Sequence, residues 1–151
     1  RFRKWQFSLG AVAAVFHDVL IVLAIFSIFY GILPFSLEID QAFIAAILTI
    51  IGYSLNDTVV VFDRVREYMS MYKKREIETV MNNALNSTLS RTINTSMTTF
   101  FVLLVIFLFG GEVIRGFMFA LMVGVLVGTY SSLFVASPII LDTLKRKEEK
   151  R

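Results

Sequence analysis

The stretch IGYSLNDTVVVFDR, residues 51–64, decides how the rest of the sequence is read. An apolar run carries Asn56 and Asp57 side by side, well before the charged Asp63 and Arg64. A segment from Ala42 to Tyr53 has 12 residues, only ~18 Å of helix, which does not cross a ~30 Å hydrocarbon core. A span beginning there must therefore include TVVVF, and that places Asp57 inside it. Asp57 follows Phe43 by 14 residues, so it lies ~21 Å below the end where the span begins.

Composition fits this reading. Of 151 residues, 56% are apolar and fifteen are Phe, and the mean hydropathy is +0.71. The fifteen basic and twelve acidic side chains bunch into short blocks between long apolar runs, whereas a soluble helix spreads its charges along one face at helical period. The chain reads as an all-α membrane protein. It has no Cys and one His, which excludes disulfide and thiolate chemistry and leaves no His-based metal site; no cofactor is expected. It does not open with Met, and RFRKWQF is not a signal-peptide start, so it reads as a piece of a longer protein.

Four segments are long enough to span, about 9–33, 42–62, 92–109 and 117–141, and together with the termini they form one transmembrane domain over 1–151. Pro34 closes the first, and short polar turns (PFSLEIDQ and GGEVIRG) join the first span to the second and the third to the fourth. The longer stretch 63–91 is charged and helix-forming, and predicts a cytoplasmic surface helix that could run on into the third span. Lys and Arg fall at the N-terminus (Arg1, Arg3, Lys4), in the middle loop (Arg64, Arg66, Lys73, Lys74, Arg75) and in the tail 142–151, with only Arg115 in the two short turns. By the positive-inside rule both termini and the loop are cytoplasmic. The net charge of +3 reports this topology, and the tail KRKEEKR suits contact with anionic membrane lipid. Nucleic acid is not an expected partner.

Arg91 precedes Phe109 by 18 residues on a span running the other way, ~27 Å below the same surface. The ~6 Å difference in level from Asp57 is within reach of an Arg side chain, so Arg91 is the expected partner of Asp57. Thr88, Arg91, Thr92, Thr95, Thr98 and Thr99 recur at spacings of three and four, a stripe on one helix face. Such a stripe suits a file of water or a proton relay, although single Ser and Thr residues in spans often bond their own backbone. His17 and Asp18 are further polar groups in the first span; Asp18 is nine residues from Leu9, ~13 Å deep. They read either as rim groups bonded to a neighbouring helix or as a second titratable site. Gly116, Ala120, Gly124, Gly128, Ser132 and Ala136 repeat every four residues, a small-residue seam that lets another backbone come close.

The blocks GYSLNDTVVVFDRVRE, LSRTINTSMTTFFVLLVIFLFGG and GFMFALMVGVLVGTYSSLFVASPIIL, with FHDVLIVL upstream, resemble the SecF branch of the SecD/SecF protein-export family over about residues 1–142. The resemblance implies the C-terminal membrane part of such a subunit in a bacterial cytoplasmic membrane. Its four spans would form half of a membrane domain like that of resistance-nodulation-division (RND) transporters. It implies partnership with SecD, separate or fused, with the SecYEG channel and YajC, and with the translocating preprotein, and it implies coupling of the proton-motive force to late export without enzymatic chemistry. Asp57 and Arg91 match family residues implicated in proton movement; Asn56 and Thr58 flank Asp57 in the same block, Thr95 lies one turn from Arg91, and His17 and Asp18 match a family HD pair.

Three other readings compete. One is a proton-coupled small-molecule exporter of the RND type. A second is an aspartyl protease using Asp18 and Asp57 as an acid dyad, against which an Arg close by would keep one acid charged. The third is a scaffold with Asp57 and Arg91 locked as an ion pair.

Overall fold

The computed structural model describes residues 5–150, which form helices α1 (Trp5–Phe29), α2 (Gln41–Met71), α3 (Ile77–Phe109), α4 (Glu112–Ser131) and α5 (Ser137–Glu149), with a π turn (Ser132–Ala136) joining the last two. Four helical stretches are long and apolar enough to cross a membrane, the fourth running from Glu112 to Glu149 through the π turn. Local chemistry sets the ends. Gly31 has φ 75°, the left-handed conformation that stops a helix, and it follows α1. The Asp40 carboxylate accepts from the Phe43 N–H at 2.9 Å and caps α2. A Cβ on Gly110 would lie 2.4 Å from the Ile106 carbonyl oxygen, so the turn into α4 needs glycine there.

No separate surface helix lies between the second and third spans. α2 continues through residues 63–71, and α3 already begins at Ile77, leaving a turn of residues 72–76. Nothing in 63–71 breaks a helix, since it holds neither Gly nor Pro. α1 begins at Trp5, four residues before Leu9, and ends at Phe29, ahead of Pro34. The tail is helical as far as Glu149; Lys145 pairs with Glu78 on α3 and Arg146 with Asp142 at 3.1 Å.

The fourth stretch does not stop at Pro138. Proline has no N–H to give and its ring crowds the carbonyl four residues back, and the π turn immediately before it absorbs the mismatch. The Ser137 hydroxyl donates to the Ser132 carbonyl at 3.0 Å across the turn.

α4 is the pillar of the bundle, touching α1, α2 and α3, and α1 and α3 flank the α2–α4 pair. Along the α2–α4 contact, residues 74 apart face each other. A Cβ on Gly124 would lie 2.2 Å from Ile50 Cγ1 and one on Gly128 would lie 3.3 Å from Ser54 Cβ, while Ser132 bonds Thr58. Ala46 and Ala120 are buried in the same cluster. The four-residue repeat on α4 thus meets a four-residue repeat on α2, ridge against groove. Gly116 instead meets the Ser36 carbonyl of the link before α2, and Ala136 packs beside Phe62 in the second apolar cluster.

Apolar packing divides into two clusters. Phe7, Ala14, Val61, Phe62, Met81 and Ile140 lie in one, toward the chain termini, and Val22, Phe26, Phe43, Ala46, Ile50 and Ala120 in the other. Between them α1, α2, α3 and α4 present Asp18, Ser54, Thr58, Thr92, Ser96, Ser131 and Ser132, all buried.

The close approach at Gly124 yields a stability prediction. Gly124→Ala forces a methyl into Ile50 and lowers stability by about 1–3 kcal/mol in thermal unfolding of the detergent-solubilised protein. Pairing it with Ile50→Ala costs less than the two single changes summed, because the clash is removed. Gly52→Ala, whose added Cβ meets nothing within 4 Å, is neutral or gains about 0.5–1 kcal/mol.

Candidate functional site, a buried polar layer

Asp18 is the best-satisfied acid in the bundle. Its side chain is 1% exposed. Oδ2 accepts from Ser54 Oγ at 2.5 Å and lies 2.9 Å from Ser131 Oγ, and Oδ1 lies 3.2 Å from His17 Nδ1. The His17 side chain is 31% exposed and its ring stacks on Tyr130 of α4. Asp18 bonds neighbouring helices, as one reading of this pair expects, and it does so inside the bundle between the apolar clusters, while His17 is partly exposed. Burying a carboxyl among apolar helices costs several kcal/mol unless hydrogen bonds replace water, and two serine hydroxyls occupy that role here.

From Ser131 the layer continues across the α2–α4 seam. Ser131 Oγ and Ser132 Oγ both lie within hydrogen-bond reach of the Gly128 carbonyl, at 3.1 and 2.8 Å, and Thr58 Oγ1 is 3.1 Å from Ser132 Oγ. The Ser132 and Thr92 hydroxyls and the Arg91 charge border the Asp57 carboxyl. Asp57 Oδ2 is nonetheless buried with no hydrogen-bond partner, and so is Thr92 Oγ1. Two unsatisfied oxygens thus face one site, where a small rotation or one water molecule would satisfy both. Toward the other apolar cluster, Ser96 bonds Thr129 and lies 3.4 Å from the Tyr53 hydroxyl.

Asp57 and Arg91, expected as partners, are neighbours in charge but form no ion pair within 4.0 Å among the described residues. Arg91 lies on the exposed face of α3, as do Asn94, Thr95 and Thr98, and Asn56 is exposed on α2. The threonine stripe divides. Thr88 and Thr92 turn inward, whereas Thr95, Thr98 and Thr99 return their hydroxyls to the carbonyls of Arg91, Asn94 and Thr95 four residues back. Those three hydroxyls are used up by their own helix. Asp18 and Asp57 form no dyad, since the serine and threonine hydroxyls lie between them and Asp18 gives its oxygens to other groups.

Reasoning from sequence missed Ser54, Ser96, Thr129 and Ser131. The available signal was the spacing of Ser54 and Thr58, four apart on the face of Ile50 and Phe62, opposite the small residues of α4. The bond from Ser54 to Asp18 makes a prediction. Ser54→Ala removes one donor from a buried carboxyl and lowers thermal stability by about 1–3 kcal/mol; Thr49→Ala, whose hydroxyl bonds only the Ala45 carbonyl on an exposed surface, changes it by less than about 0.5 kcal/mol.

Comparison with known proteins places this arrangement. The family model described as "Protein export membrane protein SecD/SecF, C-terminal" matches residues 1–146. Among relatives, the protein translocase subunit SecF of Rhodothermus marinus is 62% identical over 148 residues, 98% of this chain and 48% of that protein. SecF of Cereibacter sphaeroides is 51% identical over 138 residues, 91% of this chain and 41% of that protein. The crystal structure of SecDF, a translocon-associated membrane protein of Thermus thermophilus, superposes with a TM-score of 0.83 at 41% identity, over 95% of this chain and 19% of that one. A second SecDF crystal structure, in a super-membrane-facing form, gives the same TM-score at 40% identity over 97% of this chain and 19% of that one. The chain thus spans about half the length of the SecF relatives it matches. Sequence and fold agree, and the chain belongs to the SecD/SecF family of protein-export membrane proteins, whose C-terminal membrane part it matches.

Proposed function

We propose that this chain is the membrane part of a protein-export subunit that couples proton entry to late translocation of preproteins, with both its termini on the cytoplasmic side. Asp57 is the proton-exchanging group and Arg91 the countercharge. The observation that carries the reading is the setting of this pair: a carboxyl within an apolar helix long enough to span a membrane, bordered by two hydroxyls and by the charge of an arginine that does not touch it. Protonation of Asp57 removes its attraction to Arg91, ionisation restores it, and each change alters the force between α2 and α3.

The remaining polar groups have subordinate parts. Thr58 bonds Ser132 beside Asp57, and Asn56, Arg91 and Thr95 share the outer polar surface of α2 and α3. An arginine and two amides, Asn56 and Asn94, are costly against lipid tails, so this face is where SecD would pack, with water between. SecYEG and YajC would meet the assembly elsewhere, and the basic tail would rest on anionic lipid. A proton falling through 100 mV releases about 2.3 kcal/mol, comparable to the cost of opening or closing a partly buried charge pair. The exporter reading has no support among the relatives described above, which are named protein translocase subunits.

The test uses the full-length protein with SecD in inverted membrane vesicles, comparing wild type with Asp57→Asn and Arg91→Met. Both variants are expected to assemble with SecD and to keep gradient-independent translocation, while losing at least about tenfold of the part that an imposed proton gradient adds, the equivalent of ~1.4 kcal/mol of coupling. Full retention of that part in both variants would overturn the proton role of the pair.

A further inference from the structure

Near the chain termini, α1 meets the π turn and α5 at Gly10, where an added Cβ would lie 3.0 Å from Ile140 Cγ1 and 3.1 Å from the Ala136 carbonyl oxygen. One turn further out the space between α1 and α5 opens into a groove of about 340 Å³. It is lined by Trp5, Gln6, Thr143, Arg146, Lys147 and Lys150. The four tail residues stand at spacings of three and four, so one face of α5 and its cap carries a hydroxyl and three cations. Arg146 is paired with Asp142 at 3.1 Å, whereas Lys147 and Lys150 form no ion pair among the described residues. Gln6 is 1% exposed, and its Oε1 is buried with no hydrogen-bond partner. A second groove, of about 520 Å³, shares Trp5, Thr143 and Arg146 with the first and continues past Leu9, Pro138 and Ile139.

We infer that the two grooves form a binding site for one anionic phospholipid whose headgroup alcohol is an uncharged polyol, phosphatidylglycerol being the simplest. The inference rests on the reading that the basic tail meets anionic lipid, and it gives that contact a defined seat; it draws nothing from Asp57. The phosphodiester lies between Lys147 and Lys150, with Arg146 where the two grooves join. A glycerol hydroxyl donates to Gln6 Oε1 and supplies its missing partner. Trp5, 63% exposed, has the amphipathic ring that favours the level where headgroup gives way to acyl chain. One acyl chain follows Leu9, Pro138 and Ile139 along the second groove.

The chemistry of the grooves selects this occupant. A buried acceptor without a donor is costly, and a hydroxyl supplies the donor without bringing a charge. An ammonium headgroup, such as that of phosphatidylserine, would set a positive charge beside Arg146, Lys147 and Lys150 and lose its water at a cost. A soluble phosphate ester would fill the basic groove and leave the apolar one empty. Diffuse attraction of a basic tail to a charged leaflet requires neither a groove between two helices nor a buried amide at its base.

The test is native mass spectrometry of the full-length protein with SecD, stripped of lipid in mild detergent. It is titrated with phosphatidylglycerol, phosphatidylserine or phosphatidylcholine of matched acyl chains. Lys147→Gln combined with Lys150→Gln identifies the site, weakening both anionic lipids there by at least about tenfold; Lys73→Gln with Lys74→Gln, in the turn between α2 and α3, weakens neither. At that site phosphatidylglycerol is expected to bind at least about threefold tighter than phosphatidylserine. Gln6→Leu, similar in size and without the unpartnered oxygen, should bring phosphatidylglycerol to the level of phosphatidylserine and leave phosphatidylserine unchanged. Glycerol 3-phosphate at equal concentration should displace neither. Equal affinity for the two anionic lipids, untouched by Gln6→Leu but lowered by the tail variant, would overturn the site and leave the tail on anionic lipid. Displacement by glycerol 3-phosphate would make the occupant a soluble phosphate ester and overturn the inference. Anionic lipids that bind no tighter than phosphatidylcholine would overturn both the site and the reading of the tail.

Discussion

The contact of α2 with α4 is the constraint on which the rest of this bundle depends. Gly124 and Gly128 leave no side chain between the two helices, so Ile50 and Ser54 press directly against the α4 backbone. In a bilayer, helices gain little from burying apolar surface against each other, because lipid is equally apolar. Close backbone approach and hydrogen bonds must hold them together. The same approach that supplies dispersion contacts at Gly124 delivers Ser54 to Asp18 and Thr58 to Ser132 one and two turns further on. The packing seam and the polar site are one feature.

The site's form follows from where polarity is tolerated. Two apolar clusters close the bundle above and below, and the polar layer lies between them. It crosses the bundle sideways, from His17 on α1 through the seam to Arg91 on α3, instead of running along the membrane normal. A layer of this kind does not make an open pore. It links two faces of the bundle, which suits a device that changes charge as helices shift. The π turn adjoins the same layer: it begins at Ser132 and lies just before Pro138, whose ring would crowd the Phe134 carbonyl in a regular helix.

Much of this was legible in the sequence, for reasons that are physical. Counting residues against a ~30 Å core puts Asp57 inside a span whatever its neighbours are, and the same counting sets Arg91 near its level. The four-residue repeat on α4 was visible because small residues at that spacing have few other uses in a membrane helix. The helix expected within 63–91 runs on into the third span as α3 from Ile77, while residues 63–71 prolong α2, because charge does not end a helix and 63–71 offer no break in the backbone. The partners of Asp18 lie 36 and 113 residues away, and serine carries no mark of which face it will serve. The gap between Asp57 and Arg91 was equally hidden, because depth fixes level and says nothing of how far apart two helices stand around the bundle.

On the reading proposed above, Asp57 is the group through which protons pass in the working assembly. The most direct measurement is proton flux in vesicles containing the full-length protein and SecD, with an imposed pH difference and a trapped pH-sensitive dye. Wild type should collapse the gradient faster than empty vesicles, and Asp57→Asn should return the rate to that of empty vesicles while leaving the assembly intact. A rate unchanged by Asp57→Asn would contradict the account and make the buried layer a packing device alone.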